Sequence, residues 1–283
     1  MDFELSDEQR EFQQAARAFA EGELAPHAAH WDAESIFPVE TIAKAGEMGF
    51  CGLYTPQRWG GLGLSRQDAA IVFEELAGGC TSTTAYITIH NMATWMLSRW
   101  GQEALCDEWV PALAAGQKLA SYCLTEPQSG SDAASLRTKA VRDGDFYVLD
   151  GTKAFISGAG QTDMLIVMAR TGGEGAAGIS AFAVPANLPG IVYGKKEEKM
   201  GWNSQPTRII SFDQVKVPVG NLLGAEGEGF AIAMKGIDGG RINIAVCSVG
   251  TAQAALTRAQ VYMKERTQFG RELAQFQALQ FKL

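Results

Sequence analysis

Tyr122-Cys123-Leu124-Thr125-Glu126-Pro127-Gln128-Ser129-Gly130-Ser131-Asp132 is the turning point of this chain. Before it the residue pattern is helical, and after it the pattern reads as strand. The stretch has a short apolar start, a threonine, a proline and then a run of small residues. Such a composition lets a chain leave a strand and offer backbone N–H groups and hydroxyls to a ligand. Taken alone, its proline, glycine and serines mark only an ordinary strand-to-loop exit.

Upstream, Ser6 and Gln9 have the spacing of a capping box. Phe12, Ala15, Ala16, Phe19 and Ala20 then recur at helical spacing, which predicts an amphipathic helix to Leu24, closed by Pro26. Pro38 suits the first turn of a second helix that ends near Gly49. Residues 51–63 read as a Gly-rich loop. Ser65 with Asp68 caps a third helix through Leu76. From Thr81 to Trp100 the chain is apolar nearly all round, the mark of a buried helix. Its His90 has no second titratable group at helical spacing and reads as a satisfied core histidine. A fifth helix starts near Gln102 and is expected to break at Pro111.

Downstream, Asp143-Gly144 and Asp150-Gly151 are hairpin signals. Strands are expected at 135–142, 146–149, 163–169, 179–184 and 207–212, forming a small β-barrel or sandwich. Residues 195–199 are a charge run and read as a solvated face. After Pro218 the helical pattern returns over 227–249, interrupted at Gly236 and at Gly239-Gly240. It continues over 252–266, with Gly270 as the residue past the helix end. Another apolar helix is expected over 274–283. The fold class is therefore α+β: a helical domain (1–118), a β-barrel or sandwich domain (119–222), and the start of a C-terminal helical bundle, incomplete here (223–283).

A chain of 283 residues can bury a large core or divide into domains. The net charge of −8 disfavours a general affinity for nucleic acid or anionic membrane. Five cysteines without a C-x-x-C pair disfavour a metal or disulfide framework and fit a reducing compartment. The acidic opening, Met1 to Glu8, is neither a secretory signal nor an Arg-rich transit peptide. No uninterrupted apolar run is long enough to span a bilayer. The expectation is a cytoplasmic bacterial protein, or a mature mitochondrial-matrix protein whose leader has been removed.

Four stretches, in this order, resemble the signatures of the acyl-CoA dehydrogenases. The first is 122–132. The resemblance implies that it holds FAD: Tyr122 among the contacts, Leu124 N–H and Thr125 at the pyrimidine side and N5 of the flavin, Gly130 where backbone approaches the cofactor, and Ser131 between the pyrophosphate and the CoA arm. Gln128 departs from the glycine many members carry. The second is Gly151-Thr152-Lys153-Ala154-Phe155-Ile156-Ser157-Gly158; without the resemblance it is a strand ending at a glycine. It implies an aromatic along the flavin at Phe155 and a hydroxyl at its edge at Ser157, with Ile156 between them. The third, Asp238-Gly239-Gly240-Arg241, places Asp238 and Arg241 on the CoA side, with Gly239 and Gly240 leaving room for the acyl-CoA. The fourth is Arg266-Thr267-Gln268-Phe269-Gly270 with Phe276-Gln277. It implies contacts to the FAD of a neighbouring subunit, and hence a homo-oligomer, a tetramer.

The implied reaction removes the α-proton and the β-hydride of an acyl-CoA and passes the electrons to an electron-transferring flavoprotein. Residues 195–208 and 239–243 point within the family to a short branched substrate, isobutyryl-CoA, which becomes methacrylyl-CoA in valine breakdown. Some relatives carry the catalytic glutamate immediately before the arginine of the third stretch; here that position is Gly240. In most of the family the base lies well downstream of the fourth stretch, so it is expected beyond Leu283 and no catalytic residue is assigned. Glu126 is a poor substitute, because its neighbours are committed to structure. That leaves the activity of the 283-residue chain alone in doubt. Two other readings remain: a non-catalytic flavin- or CoA-binding remnant without the base, and a flavin monooxygenase on the same fold. No metal is expected.

Overall fold

The computed structural model describes residues 4–283; Met1, Asp2 and Phe3 of the acidic opening lie outside it. Six α-helices come first: α1 (Asp7–Phe19), α2 (Ala28–Ala33), α3 (Val39–Glu47), α4 (Arg66–Gly79), α5 (Thr81–Trp100) and α6 (Glu103–Ala114). Both expected capping boxes form. Ser6 Oγ accepts the Gln9 N–H at 3.1 Å while Gln9 Oε1 accepts the Ser6 N–H at 3.0 Å, and Ser65 with Asp68 repeats the arrangement on α4. α1 ends in a π-helical turn, Ala20–Leu24. Pro111 does not break α6, which runs on to Ala114. The proline forfeits one bond close to the helix end, while Val110, Leu113 and Ala114 keep that turn buried.

The β region has β1 (Ala120–Cys123), β2 (Lys139–Asp143), β3 (Phe146–Ser157), β4 (Met164–Arg170), β5 (Ile179–Pro185), β6 (Ile191–Lys196), β7 (Thr207–Pro218) and β8 (Leu222–Leu223). They form one connected sheet in the order β6-β7-β3-β2-β4-β5-β8, and β1 runs parallel to β4 as a branch. Asp143-Gly144 is the expected hairpin turn between β2 and β3. Asp150-Gly151 is not a turn: it lies inside β3, where the register against β7 shifts between Leu149 and Gly151. Gly151 has φ 148°, and a Cβ there would lie 2.6 Å from Thr138 Oγ1, so glycine is required.

Alternation along β4 divides the interior. Leu165, Val167 and Ala169 join a β core with Leu149, Phe182, Val184, Phe212 and Val215, whereas Met164, Ile166 and Met168 join a helical core with Met96, Leu97, Val110 and Ile232. A strand buried on both faces reads as a continuous apolar run, as 164–169 does. β6 begins the charge run expected to be a solvated face. It is an edge strand, and lysines at its end protect such an edge from further pairing.

The chain then forms α7 (Gly229–Glu265), 37 residues without a break. The interruptions expected at Gly236 and Gly239-Gly240 are absent. Close neighbours occupy the space their side chains would need: Met96 Sδ is 2.8 Å from a Cβ on Gly236, Arg66 Cζ 2.6 Å from one on Gly239, and Met92 Sδ 3.1 Å from one on Gly240. Intimate packing on α5 and α4 thus offsets the roughly 1 kcal/mol each glycine costs a helix. Beyond α7, β9 (Thr267–Gln268) and β10 (Arg271–Glu272) form a hairpin. Phe269 and Gly270 both have positive φ, 53° and 75°, so Gly270 belongs to a two-residue turn and not to a helix cap. The helix expected over 274–283 is reduced to α8 (Gln277–Gln280), because most of these side chains have nothing to pack against.

Candidate cofactor site

The loop at 122–132 hangs from a strand held on several sides. The Tyr86 hydroxyl donates to Ala120 O at 3.1 Å. His90 Nε2 lies 2.9 Å from Leu113 O, and Nδ1 accepts the Ala120 N–H at 3.0 Å. This is the satisfied core histidine expected, with Nε2 as the donor; burial pulls its pKa down to about 4, so it is neutral at pH 7. Ser121 Oγ donates to Ser157 O at 2.7 Å and ties β1 to the end of β3.

Past Cys123 the loop is gripped by the middle of β3. Lys153 Nζ donates to Leu124 O at 3.0 Å and to Glu126 Oε1 at 2.8 Å, and Ala154 N–H donates to Thr125 O at 2.8 Å. Glu126 Oε1 also accepts the Thr138 N–H, and Oε2 accepts the Arg137 N–H and the Gln128 side chain. Burial alone would raise this carboxyl, but Lys153 and these donors outweigh it and hold its pKa down to about 2. Glu126 is therefore closed to any role as a base. Gln128 folds back onto it and leaves the loop unobstructed.

The expected ligand contacts divide into those that face outward and those that do not. Gly130 and Ser131 are exposed, with nothing within 4 Å of a Cβ placed on Gly130. Thr125 is half-buried. Phe155 occupies a bulge between Lys153 and Ile156, at φ 58° and 65% exposed. An aromatic residue held in the left-handed region with its ring outward is strained. Ile156 turns its side chain into the β core and has only backbone left to offer. Ser157 is half-buried.

The first half of α7 packs into the same apolar cluster as this loop. Phe230, Ile232, Ala233, Met234 and Ile237 share one apolar cluster with Tyr122, Leu124 and Ala133. Asp238 and Arg241 follow on the exposed side, paired at 3.2 Å. Gly239 is buried, with Arg66 against the position of its missing side chain. Gly240 faces Met92.

The fourth stretch stands apart. Arg266 lies 28 residues beyond Asp238 at the far end of α7, about 40 Å along the axis. Phe269 is 93% exposed, its ring 6.3 Å from Phe276, over which Arg271 stacks at 4.0 Å. Gln277 is also exposed. Within one chain these residues do not reach the 122–132 loop.

Three consecutive parts of the chain match family models: the acyl-CoA dehydrogenase N-terminal domain over 6–117, the middle domain over 121–215 and the C-terminal domain over 227–283. The chain belongs to the acyl-CoA dehydrogenase family. It is 56% identical over 279 residues to a mitochondrial isobutyryl-CoA dehydrogenase of Bos taurus, and 51% identical over 280 residues to one from Dictyostelium discoideum. Each match covers 99% of this chain and 67% of the relative. The structure of butyryl-CoA dehydrogenase from Megasphaera elsdenii superposes with a TM-score of 0.94 at 38% identity, covering all of this chain and 75% of that one.

This acyl-CoA dehydrogenase is an oxidoreductase acting on CH–CH groups, with FAD as its cofactor. The residues present fit that group. The Tyr122 hydroxyl is buried without a hydrogen-bond partner, and burial pushes its pKa up. An exposed ring at Phe155 and an open small-residue loop at Gly130-Ser131 suit a flat ring system with a polar edge. Among the described residues no His, Cys, Asp and Glu cluster is suited to a metal, and no helix is long and apolar enough to cross a membrane. Lys153 and Arg66 went unrecognised in the sequence. Lys153 sits inside the second stretch, but its partner is 27 residues away, and no periodicity announces it.

Proposed function

We propose that this acyl-CoA dehydrogenase oxidises isobutyryl-CoA to methacrylyl-CoA in valine breakdown and delivers the electrons to an electron-transferring flavoprotein. The observation that carries this reading is that the 122–131 loop and the start of α7 join one apolar cluster, each with exposed polar groups beside it: Ser131 on the loop, Asp238 and Arg241 on the helix. Identity to the two isobutyryl-CoA dehydrogenases supports the choice of substrate.

On this reading Leu124 N–H, Thr125, Gly130 and Ser131 hold FAD together with Tyr122, Phe155, Ser157 and the backbone at Ile156. Bound there, FAD supplies the acceptor for a hydride from the substrate β-carbon. Ser131, Asp238 and Arg241 face the CoA, and Gly239 and Gly240 leave room for the acyl-CoA. Donors aimed where negative charge gathers stabilise it best when the protein has arranged them beforehand. Arg266, Phe269, Phe276 and Gln277 serve the FAD of a neighbouring subunit, which makes the protein a homo-oligomer, a tetramer, built from units at 1–118, 119–222 and 223–283. Its place is the bacterial cytoplasm or the mitochondrial matrix.

The test is dye-linked oxidation by the purified full-length protein. Turnover of isobutyryl-CoA at a higher kcat/KM than butyryl-CoA is expected, with transfer to an electron-transferring flavoprotein. Preference for a straight chain would remove the substrate assignment. Thr125→Val is expected to weaken FAD binding by about two- to tenfold through one lost neutral hydrogen bond; unchanged binding would remove the hydroxyl from the cofactor contacts.

A further inference from the structure

The Glu126–Lys153 pair is almost wholly dry, with side chains 2% and 0% exposed. A buried ion pair adds little net stability, since desolvation offsets most of the attraction, and an apolar pair of similar volume often folds as well. Its position is more telling than its energy. Lys153 grips two successive parts of the loop, the Leu124 carbonyl and the Glu126 carboxylate, while its neighbour Ala154 holds the Thr125 carbonyl. Glu126 in turn gathers the Arg137 and Thr138 N–H groups, where the chain enters β2.

Geometry then propagates the hold outward. Among the described residues every peptide bond is trans. In a trans peptide the C=O of one residue and the N–H of the next point in opposite directions. Fixing the Leu124 carbonyl on Lys153 therefore aims the Thr125 N–H away from Lys153. One residue beyond Ala154, Phe155 is turned outward by the β3 bulge. A single buried pair thus sets the direction of a donor in the loop and braces the strand that presents the aromatic.

We propose that Glu126 and Lys153 are positioning residues for the cofactor site: their ion pair holds the Leu124 carbonyl so that the Thr125 N–H and hydroxyl are aimed at FAD. This rests on the assignment of Thr125 to FAD made above. The pair touches no reacting atom, and its contribution is preorganisation of a supported first contact.

The test uses the full-length protein and the double variant Glu126→Gln with Lys153→Met. The glutamine keeps one carbonyl acceptor, enough for either the Thr138 or the Arg137 N–H group, and the pair of changes leaves no unpaired buried charge. The expected result is a thermal midpoint of the FAD-free protein close to the parent's, with FAD Kd raised about tenfold or more, as for other lost supporting contacts, and an altered flavin absorption band. A parental midpoint with parental FAD Kd overturns the proposal and leaves the pair a structural strut. Hydrogen exchange on the parent protein gives a second readout that does not depend on the variant folding. The Thr125 amide is expected to slow on FAD addition, and an unchanged amide overturns the proposal as well. Thr125→Val, which removes the hydroxyl and keeps the N–H, separates the two levels together with the exchange readout: an unchanged FAD Kd with an unchanged Thr125 amide means that the site assignment fails; if the variant weakens FAD and the double variant does not, only the positioning role fails.

Discussion

The guanidinium of Arg66 stands where a side chain on Gly239 would begin, its Cζ 2.6 Å from an ideal Cβ there. Arg66 also lies over the rings of Tyr54 at 3.6 Å and Trp95 at 4.6 Å, so it is held between aromatic faces and has little room to yield. One arginine at the start of α4 thereby accounts for a glycine deep in α7. Gly239→Ala is expected to lower stability by about 1–3 kcal/mol, the usual range for overpacking. Arg66→Ala should relieve that clash, so the double variant loses less than the two single losses together. Urea denaturation of all four proteins measures the coupling, and additive losses would show that the contact carries no energy.

The acid limb of stability should fall in two windows. His90 has a native pKa near 4 against an ordinary 6.5, so the unfolded chain binds its proton first. Stability is fully present above about pH 6.5 and declines toward pH 4, by at most about 3 kcal/mol. Glu126 has a native pKa near 2 against 4.5, so its contribution is present above about pH 4.5 and is lost as pH falls toward 2. Chemical denaturation of His90→Gln across pH 4–7 should give a flatter profile than the parent. Parallel profiles would assign the upper window to other groups.

Phe155 opposes stability and binding in one residue. Its φ of 58° suits glycine, and relief of such strain by Phe155→Gly is expected to raise the thermal midpoint of the FAD-free protein by the equivalent of about 1 kcal/mol. The same change removes an exposed ring assigned to the flavin, so FAD affinity should fall. Calorimetry without FAD and a flavin titration read the two effects separately. A variant that loses both stability and affinity would show that the ring packs on the protein itself.

Local chemistry was legible where it acts locally. The capping boxes at Ser6 and Ser65, the Asp143-Gly144 turn and the buried helix around His90 depend on neighbours within a few residues, and each formed as expected. The departures lie where distant partners decide. Gly236, Gly239 and Gly240 read as breaks, because Met96, Arg66 and Met92 were invisible as their neighbours. Asp150-Gly151 reads as a turn until Thr138 is placed against it. The 122–132 loop pointed to a ligand through its resemblance to a flavin-binding signature and not through its composition, and the Lys153 that grips it could be found only through the pairing of two segments 27 residues apart.

The end of α7 offers a test of assembly. Arg266 is exposed and about 40 Å along the helix axis from Asp238, too far to serve the FAD of its own chain on the reading above. Arg266→Ala should leave the stability of the FAD-free protein within about 0.5 kcal/mol of the parent, as for other surface changes. FAD Kd should rise about tenfold or more, the worth of a charge-assisted hydrogen bond to phosphate. Arg266→Lys is expected to restore only part of the loss, because an ammonium does not reproduce the fork of a guanidinium. Titrations above and below the concentration at which the oligomer dissociates decide whether the arginine acts across subunits. If it does, the parent binds FAD tightly only when assembled, and the variant's defect disappears in the dissociated protein, where neither form has the contact to lose.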